Sequence, residues 1–201
     1  MKLSIFNFKG GQGKTTIALQ IAMKEGVGVI TNNVYSPIER AIPDSGKVLK
    51  LNPNQDMPTL PEDLSVVIDL GGEPDHRAIS AFQQSDCVII PIRIEGALED
   101  EEAELTVSMR AIEEAKVHND KIIIVANQSS DKAFDEFQRI FSKKYNYPIL
   151  QLSHSSGLQK VYKGQTLEQR RDANPFGKKV GWYKKPISQI NEIIATIKRY
   201  Q

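Results

Sequence analysis

The chain has 201 residues, of which 40% are hydrophobic and 25% are charged, and its net charge is +1. These values are typical of a globular domain and exclude disordered, collagenous and membrane-spanning compositions, since no segment approaches the roughly 20 apolar residues that a bilayer requires. The length fits one compact domain. Cys87 is the only cysteine of the sequence, which excludes an internal disulfide framework. It lies in an apolar run and is predicted to be a buried thiol, which favours a cytoplasmic location.

Short apolar segments alternate along the chain with longer segments of helical periodicity. This alternation predicts an α/β fold: a single doubly wound, mostly parallel sheet flanked by helices, in one domain over residues 1–201. The predicted strands are Leu3–Asn7, Val27–Thr31, Lys47–Leu51, Val66–Asp69, Cys87–Ile92, Ile122–Asn127 and Ile149–Leu152. The predicted helices are Thr15–Glu25, Arg77–Gln84, Glu99–Lys116, Lys132–Tyr145 and a C-terminal amphipathic helix at about 187–200.

A glycine-rich loop follows the first predicted strand and precedes the first predicted helix. It consists of Lys9, Gly10, Gly11, Gln12, Gly13, Lys14, Thr15 and Thr16. Glycines allow a tight turn whose backbone N–H groups, together with the positive end of the helix, surround a polyphosphate. Lys14 is placed to neutralise the β- and γ-phosphates, and the hydroxyl of Thr15 is placed to bind Mg²⁺. Because Phe8 stands where the standard Walker A motif has its first glycine, the loop is a deviant form of that motif.

Two other strands end in residues suited to the same site. Asp69 ends Val66–Asp69 and is predicted to hold Mg²⁺ through water. Asn127 ends Ile122–Asn127 and is a candidate contact for an adenine edge, the alternative being an ordinary turn residue. Gln12 is a candidate to orient the hydrolytic water, the alternative being a tolerated variable position in the loop.

The segment from Asn7 to Thr16 closely resembles the phosphate loop of the ParA/MinD family of deviant Walker A ATPases, and the similarity covers most of residues 1–167. The resemblance implies a P-loop NTPase fold, ATP and Mg²⁺ as cofactors, and a homodimer in which Lys9 reaches the partner's ATP. The chain is most similar to the short, ParA-type members. That similarity implies nonspecific DNA binding in plasmid or chromosome partition, a centromere-binding ParB-like adaptor, and association with the nucleoid.

The second predicted strand departs from the family pattern. Family members usually end this strand with an Asp-x-Asp sequence that positions the hydrolytic water, whereas this chain has Asn32 and Asn33. Asparagine can orient water but cannot accept a proton as a carboxylate does. With Asn33 in place of the switch I aspartate, two outcomes stay open: slow ATP hydrolysis, or nucleotide binding without hydrolysis.

The C-terminal part of the chain is basic. From Gly157 onward, ten Lys or Arg stand against three Asp or Glu, which gives a net charge of +7. We predict an irregular basic segment at about 168–186 that contacts DNA phosphates without reading bases, the alternative being a solvated basic surface. The candidate DNA contacts are Arg170, Arg171, Lys178, Lys179, Lys184 and Lys185.

Two alternative functions are compatible with parts of this pattern. One is a MinD-like membrane-associated positioning ATPase, since Ile187, Ile190, Ile193, Ile194 and Ile197 form an apolar stripe on the terminal helix. We expect this stripe to pack on the sheet instead, so a membrane partner is not expected. The other is a small-molecule ATP-dependent ligase of the dethiobiotin-synthetase type, which is disfavoured because such enzymes lack the Lys9-Gly10-Gly11 arrangement.

Overall fold

The computed structural model describes residues 1–33, 36, 38–42, 44–71, 76–94, 102–158, 163–173 and 181–201. Within these residues seven strands form one parallel sheet in the order β3-β2-β4-β1-β5-β6-β7. The strands are β1 (Lys2–Ile5), β2 (Gly28–Thr31), β3 (Val48–Lys50), β4 (Val66–Asp69), β5 (Cys87–Arg93), β6 (Ile122–Asn127) and β7 (Ile149–Leu152). The predicted fold class and all seven predicted strands are confirmed, with boundaries shifted by at most two residues.

Helices connect most of these strands. They are α1 (Lys14–Glu25), α2 (Ile38–Ala41), α3 (His76–Gln84), α4 (Glu102–His118), α5 (Asp131–Phe141), α6 (Leu167–Asp172) and α7 (Gly181–Lys198), with a short 3₁₀ turn at Ser45–Lys47. The four internal helices that we predicted are present, and the start of the predicted helix Glu99–Lys116 lies outside the described residues. The two shortest helices, α2 and α6, were not predicted.

Both faces of the sheet are covered, as the continuous apolar runs predict. Successive residues of β5 alternate between two cores: Val88 packs with α3, α4 and α5 on one face, and Ile89 packs with α1 and α7 on the other. Cys87 is fully buried, and burial raises the pKa of its thiol to about 12, so it is an inert core residue. Among the described helices, none has the length and hydrophobicity needed to cross a bilayer.

The structure corrects the predicted irregular segment at about 168–186. Residues 167–172 form α6, and α7 begins at Gly181 rather than near residue 187, while residues 174–180 lie outside the described part of the chain. Thr166 and Gln169 form a reciprocal capping box that starts α6. The early part of α7 is packed on the rest of the chain, because Tyr183 lies so close to Gly157 that a Cβ on Gly157 would be 2.7 Å from the Tyr183 ring. The isoleucine stripe of α7 lies in the core against the sheet.

Candidate phosphate-binding site

The predicted site residues meet at the carboxyl edge of the sheet. β1 lies between β4 and β5, where the strand order reverses, and ligands of open α/β sheets bind at such a point. A cavity of about 330 Å³ opens here, within the size range of small-ligand sites. Its lining residues are Gly10, Gly11, Gln12, Gly13, Lys14, Thr15, Thr16, Asn33, Asp69, Gly71 and Gln128.

The loop between β1 and α1 depends on two glycines in the left-handed conformation. Gly11 has φ +75° and Gly13 has φ +89°, values that side chains disfavour. A Cβ on Gly13 would also lie only 2.2 Å from the Nδ2 atom of Asn127. Gly13 precedes the first residue of α1 and supplies no side-chain cap, so anions can accept from the first N–H groups of the helix.

Lys14 lies inside the loop, with only 9% of its surface exposed. Its Nζ donates to the carbonyl oxygen of Asn7 at 3.0 Å and to that of Lys9 at 2.8 Å. Burial lowers the pKa of this ammonium, while the nearby carboxylate of Asp69 acts in the opposite direction. A buried ammonium held among uncharged loop carbonyls is suited to bind a phosphate group, because the phosphate supplies the compensating negative charge.

Thr15 and Asp69 form the second functional pair. The Oγ1 atom of Thr15 donates to Oδ2 of Asp69 at 2.7 Å, and Asp69 is 2% exposed. Burial raises the pKa of the Asp69 carboxyl to about 6, although the hydrogen bond from Thr15 and the charge of Lys14 both lower it. A hydroxyl beside a carboxylate supplies the hard oxygen ligands that Mg²⁺ takes together with water and phosphate. These residues therefore fit a magnesium–nucleotide complex.

Gln12 braces the loop against two strands. Its Oε1 accepts from the backbone N–H of Arg93 in β5 at 2.6 Å, and its carbonyl oxygen accepts from Nδ2 of Asn127 in β6 at 2.8 Å. Because its amide oxygen is committed to β5, the geometry does not support the water-orienting role predicted for Gln12. The amide nitrogen of Asn127 is likewise committed to the loop, and its contact with adenine stays a prediction.

Asparagines follow β2 at the other side of the cavity. Asn33 lines the cavity, and its backbone N–H donates to Oγ1 of Thr31 at 3.1 Å. The side chain of Asn32 is engaged with the cavity wall, since its Oδ1 accepts from the backbone N–H of Gly71, which lines the cavity. The segment after β2 is thus joined to the segment after β4, and Asn33 is the residue of the first of these segments that lines the cavity.

None of the candidate DNA contacts that the structure describes lines this cavity. Arg170 and Arg171 belong to α6, Lys184 and Lys185 belong to the start of α7, and Lys178 and Lys179 lie outside the described residues. Lys185 forms an ion pair with Asp131, and Arg171 pairs with Asp172 at 2.8 Å. Part of the positive charge is therefore balanced within the chain. Lys184 is exposed and follows Trp182, which is 61% exposed.

Two residues near the cavity were missed by the sequence analysis. Gln128 follows β6 with φ 59°, lines the cavity, and donates its backbone N–H to the carbonyl of Leu152. Arg93 ends β5, with its guanidinium beside Gly11. Neither residue has a local sequence signal, because it is the position of β5 next to β1 in the folded sheet that brings Arg93 to the loop.

The parallel sheet, the loop between β1 and α1, and the Thr15–Asp69 pair define a P-loop NTPase fold. A plasmid partition protein of Borrelia burgdorferi B31 bound to AMPPNP matches it with a TM-score of 0.59 at 15% identity, over 96% of this chain and 97% of that chain. Apo McdA from Cyanothece matches with a TM-score of 0.58 at 13% identity, over 96% and 98% of the two chains. A McdA–ATP complex from Cyanothece gives 0.58 at 14% identity, over 96% and 95%.

A scan against protein-family models gives no match, and a search of curated proteins gives none either. At identities this low the structural likeness establishes the fold alone. The plasmid partition protein and McdA share that fold, in agreement with the resemblance of the segment from Asn7 to Thr16.

Proposed function

We propose that this protein is an ATP-dependent switch of the ParA type: an ATPase that dimerises with ATP and Mg²⁺ and binds DNA nonspecifically during plasmid or chromosome partition. The observation that carries the proposal is the loop at residues 9–16, which combines the buried Lys14 ammonium with the Thr15–Asp69 pair. Two of the structural neighbours were solved with ATP or AMPPNP, which supports the choice of nucleotide.

Each part of the loop has a distinct task in this proposal. The N–H groups of the loop and of the first turn of α1 bind the phosphates, and Lys14 neutralises their charge. Thr15 and Asp69 hold the Mg²⁺ ion, which neutralises charge that develops on the phosphates. Asn33 orients the attacking water without taking its proton, so hydrolysis is slow.

Lys9 is assigned to the partner's nucleotide in the dimer. Its main chain is fixed from both sides, because its N–H donates to Oδ1 of Asn7 at 2.9 Å and its carbonyl accepts from Nζ of Lys14. A fixed main chain at this point gives the Lys9 side chain a defined origin from which to reach across an interface. ATP thereby favours the dimer and its DNA-binding surface, and hydrolysis stimulated by a ParB-like adaptor releases both.

The membrane-associated alternative has less support. A membrane helix of this kind needs an exposed apolar face, whereas Ile190, Ile193 and Ile197 of α7 are each at most 1% exposed. Their burial favours DNA in the nucleoid over a lipid surface as the place of action of this protein.

Sedimentation without nucleotide, with ADP and with ATP, each with Mg²⁺, tests the proposal directly. We expect dimers only in the sample with ATP and Mg²⁺. We expect the dimer fractions, and not the monomer fractions, to shift DNA of arbitrary sequence in a gel. If the protein binds ATP but stays monomeric and does not bind DNA, the partition switch is refuted and only a nucleotide-binding domain is left.

The substitution Asn33→Asp is expected to accelerate ATP hydrolysis. A carboxylate in this position can accept the proton of the attacking water, and general-base catalysis contributes about 10²–10⁴-fold in favourable cases, so a gain of about tenfold or more is expected. Single-turnover phosphate release measures the rate, with Asn33→Ala as the control that lacks both amide and carboxylate. Unchanged turnover in Asn33→Asp would place the proton acceptor elsewhere.

Charge reversal of Lys178, Lys179, Lys184 and Lys185 to Glu is expected to weaken DNA binding for all sequences. Each lost phosphate contact lowers the slope of log affinity against log salt by about 0.9, and Lys185 is expected to contribute least because it pairs with Asp131. ATP affinity is expected to persist. The matched control for the Lys184 and Lys185 pair alone reverses the two charges of Arg139 and Lys143, at and just after the end of α5 on the opposite face of the sheet. An equal loss in these two double variants would mean that total charge, not the patch, determines binding.

A further inference from the structure

Arg93 occupies a defined place at the carboxyl edge of the sheet, next to the phosphate loop. It is the last residue of β5, and it pairs in register with Asn127 of β6. Its backbone N–H donates to Oε1 of Gln12 at 2.6 Å, and Asn127 holds the carbonyl of the same glutamine. The main chain of Arg93 is therefore fixed relative to the loop, because the side chain of Gln12 bonds to Arg93 and the carbonyl of Gln12 bonds to the neighbouring strand.

The guanidinium of Arg93 lies against the loop at Gly11. Its Nη1 atom is 3.8 Å from the place where a Cβ of Gly11 would stand. Gly11 lines the cavity and has no side chain that would stand between this guanidinium and the loop backbone, so the charge of Arg93 lies one residue's width from the cavity lining. Arg93 is half-buried, so its charge is incompletely screened by water.

We propose that the guanidinium of Arg93 contacts the terminal phosphate of the nucleoside triphosphate bound by the same chain, as a second cation beside Lys14. This inference rests on the proposed function. The planar guanidinium presents parallel N–H groups that match two phosphate oxygens, which an ammonium cannot do. A contact restricted to the terminal phosphate makes Arg93 a specificity residue that distinguishes a triphosphate from a diphosphate.

Competition binding of ATP and ADP against a fluorescent nucleotide tests this assignment in Arg93→Gln and Arg93→Lys, at protein concentrations where the chain is monomeric. Loss of a hydrogen bond to a charged group corresponds to an ATP affinity about 10- to 100-fold lower in Arg93→Gln, with ADP affinity changed less than about threefold. Arg93→Lys is expected to lose ATP affinity by a smaller factor. Arg139→Gln, which removes an exposed arginine on α5, is the matched control and should change neither affinity.

The unfolding midpoint without nucleotide separates a phosphate contact from a structural role. We expect Arg93→Gln, measured against its own midpoint without nucleotide, to be stabilised less by ATP than the wild type is and to the same extent by ADP. If Arg93→Gln does not fold, the same test is made with Arg93→Lys, for which the ratio of ATP affinity to ADP affinity is expected to fall below that of the wild type. Equal loss of both nucleotides, no loss of either, or a loss that appears only in dimers would overturn the same-chain contact.

Failure of this inference is distinguishable from failure of the proposed function. If the wild-type protein binds ATP and Lys14→Ala does not, while Arg93→Gln behaves as the wild type, the nucleotide site stands and Arg93 has no part in it. If the wild-type protein itself binds no ATP, the proposed function fails, and the inference fails with it.

Discussion

Lys14→Ala is expected to abolish ATP binding, with an affinity loss of about 100-fold or more, because it removes the buried charge that neutralises the β- and γ-phosphates. The variant also leaves the carbonyl oxygens of Asn7 and Lys9 without the ammonium to which they are now bonded. Unsatisfied buried acceptors cost about 1–3 kcal/mol, so the nucleotide-free variant is expected to unfold more easily as well. Fluorescent-nucleotide titration and thermal unfolding measure the two effects separately.

Lys9→Ala is the matched comparison, since it removes a second lysine from the same loop. The contacts of Lys9 given above are made by its main chain, which alanine retains, so ATP binding is expected to remain measurable. Dimerisation and hydrolysis are expected to be lost if Lys9 serves the partner's nucleotide. Equal loss of ATP binding in both variants, or normal ATP-dependent dimers of Lys9→Ala in sedimentation, would contradict the division of labour between the two lysines.

Asp69→Asn is expected to stabilise the free protein at neutral pH while removing the response to Mg²⁺–ATP. Burial raises the folded-state pKa of Asp69 from 3.8 to about 6, so the unfolded chain ionises first as pH rises. The stability associated with the protonated carboxyl is fully present below pH 3.8 and is lost as pH rises through about 6. Above that pH the free energy of unfolding no longer depends on this group. Linkage bounds the difference at about 3 kcal/mol.

Unfolding of wild type and Asp69→Asn between pH 4 and 8, without Mg²⁺ or nucleotide, measures this difference. The wild type should lose stability relative to the variant as pH rises, and the exposed Asp135→Asn is the control that should follow the wild type. Adding Mg²⁺ and ATP should raise the midpoint of the wild type but not that of Asp69→Asn. A variant less stable than the wild type at pH 7 would show that the ionised carboxylate stabilises the free fold.

The sheet and the loop were predictable because each has a local signal. Buried parallel strands are continuous apolar runs, and a glycine loop between a strand and a helix has few structural alternatives. The start of α7 was not predictable, since Gly181 and Pro186 suggest irregular structure, and the contact of Tyr183 with Gly157 joins parts of the chain that no local pattern relates. The capping box of Thr166 and Gln169, by contrast, was a local signal for α6 that the sequence analysis did not use.

The site divides in the same way. Lys14, Thr15 and Asp69 occupy motif positions, so their grouping followed from sequence. The contact between Gln12 and Arg93 joins residues 81 positions apart, and it forms only because β5 lies beside β1. Composition or spacing along the chain does not contain that information, because it arises from the order of strands in the sheet.

The double attachment of Gln12 has a consequence for how the protein can respond to its ligand. A loop that must become ordered on binding loses conformational entropy, which weakens affinity, whereas a loop already held by β5 and β6 is preorganised. The phosphate loop is therefore a rigid receptor. Any rearrangement on ligand binding is then expected in the segments after β2 and β4, where Asn32 and Gly71 are joined to each other by a hydrogen bond and not to the loop.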